Sequence, residues 1–504
     1  MMKRSLRNDL VALSFAALVA APVAGRAFAQ APSLAVTYKP AADKLIAASL
    51  ADPEGYANLA YLCDHIGKRV SGSESLQTAV AWATDLLKKE GFANVHTQAA
   101  TVPHWVRGEE SGEIIAPVTK KLHMLGLGMS VATPPAGITA EVVVVPDFAA
   151  LTRLGKAGVA GKIVVFNAPY KGYGQTVMYR VAGPSQAAAL GAVAVLVRAI
   201  TPLAVQMPHT GTTGYDEKQP KIPAAAISLE DAMMLDRLQA EGTPVRVHLQ
   251  MQAHMEAPVV SANVMGDIVG TEHPEQIVVV GGHIDSWDVG QGAQDDGSGI
   301  MATLAAVHEI AKLGLKPKRT IRVCFWVNEE NGGAGGKAYR AALSETELKN
   351  HVAAIEMDGG AEAPVGYGYG AANGGAGRRR AQPGDVTPTA PPPALPAAEA
   401  HSLALLREIG TLLTPVLSGL APGAEAIKPG GGGSDISPLM ADGVPGLGEQ
   451  TTAAHYFDWH HTEADTLDKV DPQEFRRNVA SLAVMTYVLA DMPETLAGRK
   501  GAGE

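Results

Sequence analysis

"GGHIDSWDVGQGAQDDGSG", residues 281–299, sets one histidine and four aspartates among glycines. It follows the apolar run QIVVV (276–280) directly and leads into a second one, GIMATLAAVHEIAKLG (299–314). The first run reads as a buried strand and the second as an apolar helix. Carboxylates crowded at such a junction repel one another and are costly to remove from water, so a positive partner is expected among them.

The same rhythm recurs downstream. TIRVCFWV (320–327) ends on Asn328, Glu329 and Glu330, and HVAAIEM (351–357) ends on Asp358. Unbroken apolar strands alternating with helices indicate a mainly parallel sheet covered on both faces, an α/β architecture. In open sheets of this kind a ligand lies beyond the carboxyl ends of the strands. Three strand ends carrying acids or histidine, with His460 and His461 in WHHTEADT (459–466), therefore argue for a metal site. Oxygen and imidazole donors suit zinc or a similar divalent ion. The carboxylates are too many for one tetrahedral zinc, and two ions sharing a carboxylate account for them better.

Working outward, the stretch 45–92 reads as helices, with SESLQTAVAWATDLLKKEGF (73–92) starting at Ser73 or Ser75 and ending on Gly91. Short β-like runs such as AEVVVV (140–145), KIVVFNA (162–168) and VRVHLQM (245–251) mark an α+β insert over 130–255. Residues 371–400 are rich in Gly, Pro and Ala and read as a flexible surface loop. Lys3, Arg4 and Arg7 precede an apolar stretch that ends on AFA (27–29), the layout of a secretory signal peptide over 1–29. No later segment is apolar for long enough to span a bilayer, so an exported protein, periplasmic or secreted, is expected.

The net charge of −10 becomes −13 without residues 1–29 and comes with no long basic run, which speaks against nucleic acid as a partner. The two cysteines, Cys63 and Cys324, read as buried thiols, since Cys324 lies inside a strand and neither has a CxxC partner.

The motifs HIDSWDVGQGAQDDGSG, VNEENGGAGGKAY, EMDGG and HHTEADT resemble the metal-binding motifs of the co-catalytic zinc aminopeptidase and carboxypeptidase family. The likeness runs from about residue 45 to 493 and includes IGKRVSGS (66–73), VPHWVRG (102–108) and GLKPKRT (314–320). It implies a zinc exopeptidase fold, with residues 30–129 and 256–495 forming the catalytic domain and 130–255 a protease-associated insert. It implies two Zn2+ per chain, His283 and Asp358 on one, Glu330 and His461 on the other, and Asp295 bridging. Glu329 is then the general base and Asp285 the residue that orients His283. A cis peptide between Asp295 and Asp296 is also implied, as are a peptide substrate and a homodimer. His460 stands where related aminopeptidases often carry tyrosine, as an oxyanion donor or an outer histidine. Ser434 and Asp435, in GGGGSDI (430–436), are candidates for contact with a substrate terminus, against the alternative of a flexible turn.

Complete donor sets speak against two other uses of the same scaffold, single-zinc cyclisation and a binding ectodomain. Whether the amino or the carboxyl end of a peptide is read depends on a fixed cation or acid near the metals, and Arg107, Arg180 and Lys428 are the cations to place.

Overall fold

The computed structural model describes residues 33–370, 395–419 and 423–496. The expected signal peptide and most of the expected loop lie outside the described residues; residues 397–400 belong to a helix, Ala397–Leu412, rather than to a loop.

Among the described residues, sixteen strands form two sheets. In chain order they are β1 (Ala93–Val106), β2 (Glu110–Ala116), β3 (Lys120–Lys121), β4 (Met124–Gly126), β5 (Ile138–Val145), β6 (Ile163–Phe166), β7 (Ala194–Arg198) and β8 (Ala224–Ile227). After these come β9 (Arg246–Met251), β10 (His254–Ile268), β11 (His273–His283), β12 (Arg319–Trp326), β13 (His351–Glu356), β14 (Pro364–Gly370), β15 (Ile427–Pro429) and β16 (Gly446–Thr451). The larger sheet has the order β1-β10-β12-β11-β13-β16-β14-β15. Its centre, β12-β11-β13-β16, is parallel, and antiparallel pairings flank it.

Alternation along the central strands explains their two-sided burial. Val278 and Val280 of β11 face the major core, built with helices Leu34–Ala51, Ser298–Lys312 and Pro472–Asp491. Ile277 and Val279 face a smaller core with Trp326, Tyr339 and Leu439. Ser73 caps the helix Glu74–Lys89 through the Leu76 N–H, and Gly91 turns the chain out with φ of 83°. Both cysteines are free and buried.

The second sheet, β3-β2-β9-β5-β6-β7-β8-β4, is the insert, with apolar layers on both faces. It starts at Glu110, about twenty residues before the boundary expected from the sequence, because β3 and β4 are two and three residues long and carry no periodicity of their own. The chain leaves the large sheet after Val106 and returns to it at His254.

Candidate metal centre

The parallel register of β11, β12 and β13 brings three carboxyl ends to one edge of the sheet. His283 is the last residue of β11, while Glu329 and Glu330 follow β12 and Asp358 follows β13. Asp295 and Asp296 open the approach to the helix Ser298–Lys312 and are joined by a cis peptide. Two glycines of the opening motif are required by close approach: a Cβ on Gly282 or Gly299 would come within 2.0 or 2.1 Å of the Asp296 carboxylate. That carboxylate accepts from the His283 and Gly299 N–H groups at 2.9 and 3.1 Å, which ties the strand end to the helix start.

Asp295 is the hinge of the site. One carboxylate oxygen, Oδ1, lies 3.2 Å from His283 Nε2, which is itself 3.5 Å from Asp358 Oδ1. The other, Oδ2, lies 3.2 Å from His461 Nε2, which is 3.0 Å from Glu330 Oε2. Burial alone would raise the Asp295 carboxyl, but the contacts with His283 and His461 outweigh it and hold the group well below the usual range. Burial opposes charge on both histidines, and contacts with Asp295 and its neighbouring acids overturn that and raise them.

The donor set fits metal ions. Glu330 Oε1 is buried and accepts no hydrogen bond, a costly arrangement for a carboxylate that lacks a cation. His283, Asp295 and Asp358 form one compact donor group, and Asp295, His460 and His461 another. Asp285, Asp296 and Asp465 add further buried acid around them.

Two further acids support the donors. His283 Nδ1 meets the main-chain carbonyl of Asp285 at 3.0 Å, while the Asp285 carboxylate is 3.8 Å away. That carboxylate accepts instead from the Glu329 N–H at 3.0 Å and from Ser71 Oγ at 3.3 Å, because residue 285 has already turned past the imidazole. Asp465 accepts from the N–H groups of Ala293, Gln294 and Asp295 and so fixes the shared aspartate.

Glu329 is half-buried, and its carboxyl is pushed up to about 8 by burial first and by Asp358 and Glu330 second. The Ser434 hydroxyl stands beside it. The glycine run before Ser434 is pinned: Gly431 has φ of 140° and a Cβ there would meet Gly368 at 2.5 Å. Asp435 is only 2% exposed. Its carboxyl is raised by burial and by the acids Glu356 and Glu329.

His460 stacks on His461 at 3.5 Å between ring centres and lies 3.5 Å from Asp295 Oδ2. Burial lowers it well below the ordinary histidine value, so it is a neutral imidazole. Tyr173 of the insert meets the edge of His460 and stacks on Phe457, forming an aromatic wall beside the site.

Several supporting residues carried no separate sequence signal. Arg69, fully buried, donates to the carbonyls of Ile284, Gln291 and Gly292 and clamps the loop that carries Asp285. It lies in IGKRVSGS, so the motif pointed to it without giving its task. Arg180 and Thr210 of the insert approach His461, with Arg180 Nη1 at 3.4 Å and the Thr210 carbonyl at 3.2 Å from Nδ1. Arg107 is away from the histidines and pairs with Asp288 at 2.6 Å; Lys428 is exposed.

Comparison with known proteins gives the relatives of this chain. Residues 263–486 match the model of peptidase family M28. Carboxypeptidase Q of Xenopus laevis is 39% identical over 464 residues, 91% of either chain. The Homo sapiens protein of that name is 38% identical over 446 residues, 88% of this chain and 87% of its own. The crystal structure of a peptidase M28 precursor from Shewanella amazonensis superposes with a TM-score of 0.81 at 32% identity, covering 92% of this chain and 99% of that one.

Proposed function

On the premise that the chain belongs to peptidase family M28 and is a metallopeptidase, we propose that it is an exported exopeptidase that uses two zinc ions to hydrolyse dipeptides or short peptides. The single observation that carries this reading is the Asp295 carboxylate, with one oxygen toward His283 and Asp358 and the other toward His461 and Glu330. In this reading His283, Asp358 and Asp295 hold one zinc, and Glu330, His461 and Asp295 the other. The bound pair supplies positive charge that polarises the scissile carbonyl and acidifies water.

The chain's own groups do the rest. Glu329 is the half-open acid of the site; the positive charge of bound ions would offset the acids that raise it and keep it ionised, so that it takes a proton from the attacking water and hands it to the leaving amine nitrogen. Its carboxyl is steered by two neighbours, the Ser434 hydroxyl and the Asp285 carboxylate, which holds the Glu329 N–H. His460, neutral and fixed between Tyr173 and His461, is placed to donate to the oxygen on which negative charge develops. Tyr173 and Phe457 form the wall along which a short peptide enters.

The carboxypeptidase Q name of the relatives at 37–39% identity favours carboxypeptidase action, on dipeptides or longer peptides, with aminopeptidase action as the alternative. Export rests on the leader-like N-terminus; among the described residues no helix is long and apolar enough to cross a membrane. Homodimer formation is carried as part of the same reading and is checked by light scattering.

The test is hydrolysis of Ala-Ala by the purified chain, with metal content by mass spectrometry before and after chelation. Two zinc per chain, with activity lost to chelator and restored by zinc, is the expected result. Blocking either end of the dipeptide then shows which terminus is required. Less than one metal per chain and no hydrolysis would overturn the reading.

A further inference from the structure

The insert does more than cover the site. Three hydrogen bonds of its segment His209–Thr213 reach His461 or Glu330 of the catalytic domain. The Thr210 N–H donates to the His461 carbonyl at 3.0 Å. The Thr210 carbonyl lies 3.2 Å from His461 Nδ1, on the ring edge opposite the one facing Asp295 and Glu330. The Thr212 hydroxyl donates to the Glu330 carbonyl at 2.7 Å.

The other side of the same segment is bonded to the insert itself. Thr210 Oγ1 donates to the Gly126 carbonyl at 2.7 Å, and Gly211 and Thr213 pair with Gly128 at 3.0 and 2.9 Å. Arg180 braces it from behind, donating to the Thr210 carbonyl at 2.9 Å while its own carbonyl accepts from Thr213 Oγ1 at 2.9 Å. The segment is therefore a rigid bridge between the insert sheet and two donor residues. His283 has a different surrounding: Asp285, Asp295, Asp296 and Asp358, all from the catalytic domain.

We propose that Thr210 and Thr212 are positioning residues for one half of the metal centre, so that the insert builds the Glu330–His461 half-site. The argument rests on the two-metal reading above. A histidine that binds metal through Nε2 needs its proton on Nδ1, and the acceptor opposite decides that tautomer and the ring's direction. Here that acceptor is the Thr210 carbonyl at 3.2 Å, nearer to Nδ1 than Arg180 Nη1 at 3.4 Å, which is itself engaged by the same carbonyl at 2.9 Å. His461 also has a positive φ of 62°, unusual for a residue with a side chain, and the Thr210 N–H holds its carbonyl in that conformation. Metal affinity at this half-site accordingly depends on the seating of the insert, and affinity at the His283–Asp358 half-site does not.

The experiment is calorimetric titration of the metal-free full chain with Zn2+. Wild type is expected to show two binding steps. Thr212→Val, which keeps shape and loses the donor, should weaken one step by about tenfold, the lower end of the effect of outer partners on metal affinity, and leave the other unchanged. Thr212→Ser should restore it, and Lys121→Met, at an exposed position of the insert, should change neither step. Two unchanged steps in Thr212→Val, or two equally weakened ones, would overturn the proposal while the two-metal reading stands. Fewer than two steps in wild type would overturn the two-metal reading and this proposal with it. A readout independent of any variant is hydrogen–deuterium exchange in wild type: zinc should slow exchange in the peptide covering 209–213. Unchanged exchange there contradicts the proposal.

Discussion

The two halves of the candidate centre share Asp295 and otherwise differ in how they are held. The half with His283 and Asp358 is assembled from adjacent strand ends, and its imidazole rests on a carbonyl two residues away, at Asp285. The half with Glu330 and His461 depends on a carbonyl 251 residues away in sequence, at Thr210 in the other sheet. The first is a product of local chain geometry and the second of domain packing. They should therefore respond differently to the same kind of damage.

Removing what they share should do the most. Asp295→Ala is expected to lose both metals and to bring peptide hydrolysis to the assay floor, measured by metal content and by turnover. A variant that kept two metals would break the symmetry claimed for Asp295. Next in size is Glu329→Gln, which should lower kcat by roughly 10²–10⁴-fold and leave metal content at two per chain, separating proton transfer from metal holding. Metal loss in that variant would make Glu329 a ligand.

The sharpest contrast comes from paired deletions. His283→Ala and His461→Ala should each cost one metal, but only His461→Ala should speed exchange in the peptide covering 209–213, since only His461 is bonded to the insert. Equal behaviour of the two would erase the distinction between the half-sites.

The smallest effect lies away from both halves, at Glu449, which meets the Tyr367 hydroxyl at 3.2 Å. Burial pushes this carboxyl from 4.5 up to about 8. The folded chain thus keeps a proton that the unfolded chain releases across that interval, and the stabilisation, complete below about pH 4.5, is gone above about pH 8. Glu449→Gln should flatten this dependence and raise Tm at pH 8 by roughly 2 °C, with no such gain at pH 4.5.

What was legible in the sequence follows the same division. His283, Glu330 and Asp358 could be read because a parallel sheet delivers consecutive strand ends to one edge, and apolar runs announce the strands. That Gly282 and Gly299 make room for Asp296 was not legible, since the approach of its carboxylate arises only when strand end and helix start are packed together. Which atom of Asp285 meets His283 was not legible, because alternation along a strand does not say where the chain turns once the strand ends. Thr210 and Thr212 were invisible: a loop threonine carries no periodicity, and its meaning arises only when two sheets meet. For the same reason the start of the insert was set too late, since its first short strands gain their partners from β9 and β8, over a hundred residues further on.

The central claim, two metals divided by one carboxylate, is tested most directly by anomalous diffraction at the zinc edge from crystals of the zinc-loaded chain. The account predicts two peaks, one among His283, Asp295 and Asp358 and one among Asp295, Glu330 and His461. A single peak, or a second one away from Asp295, would contradict it.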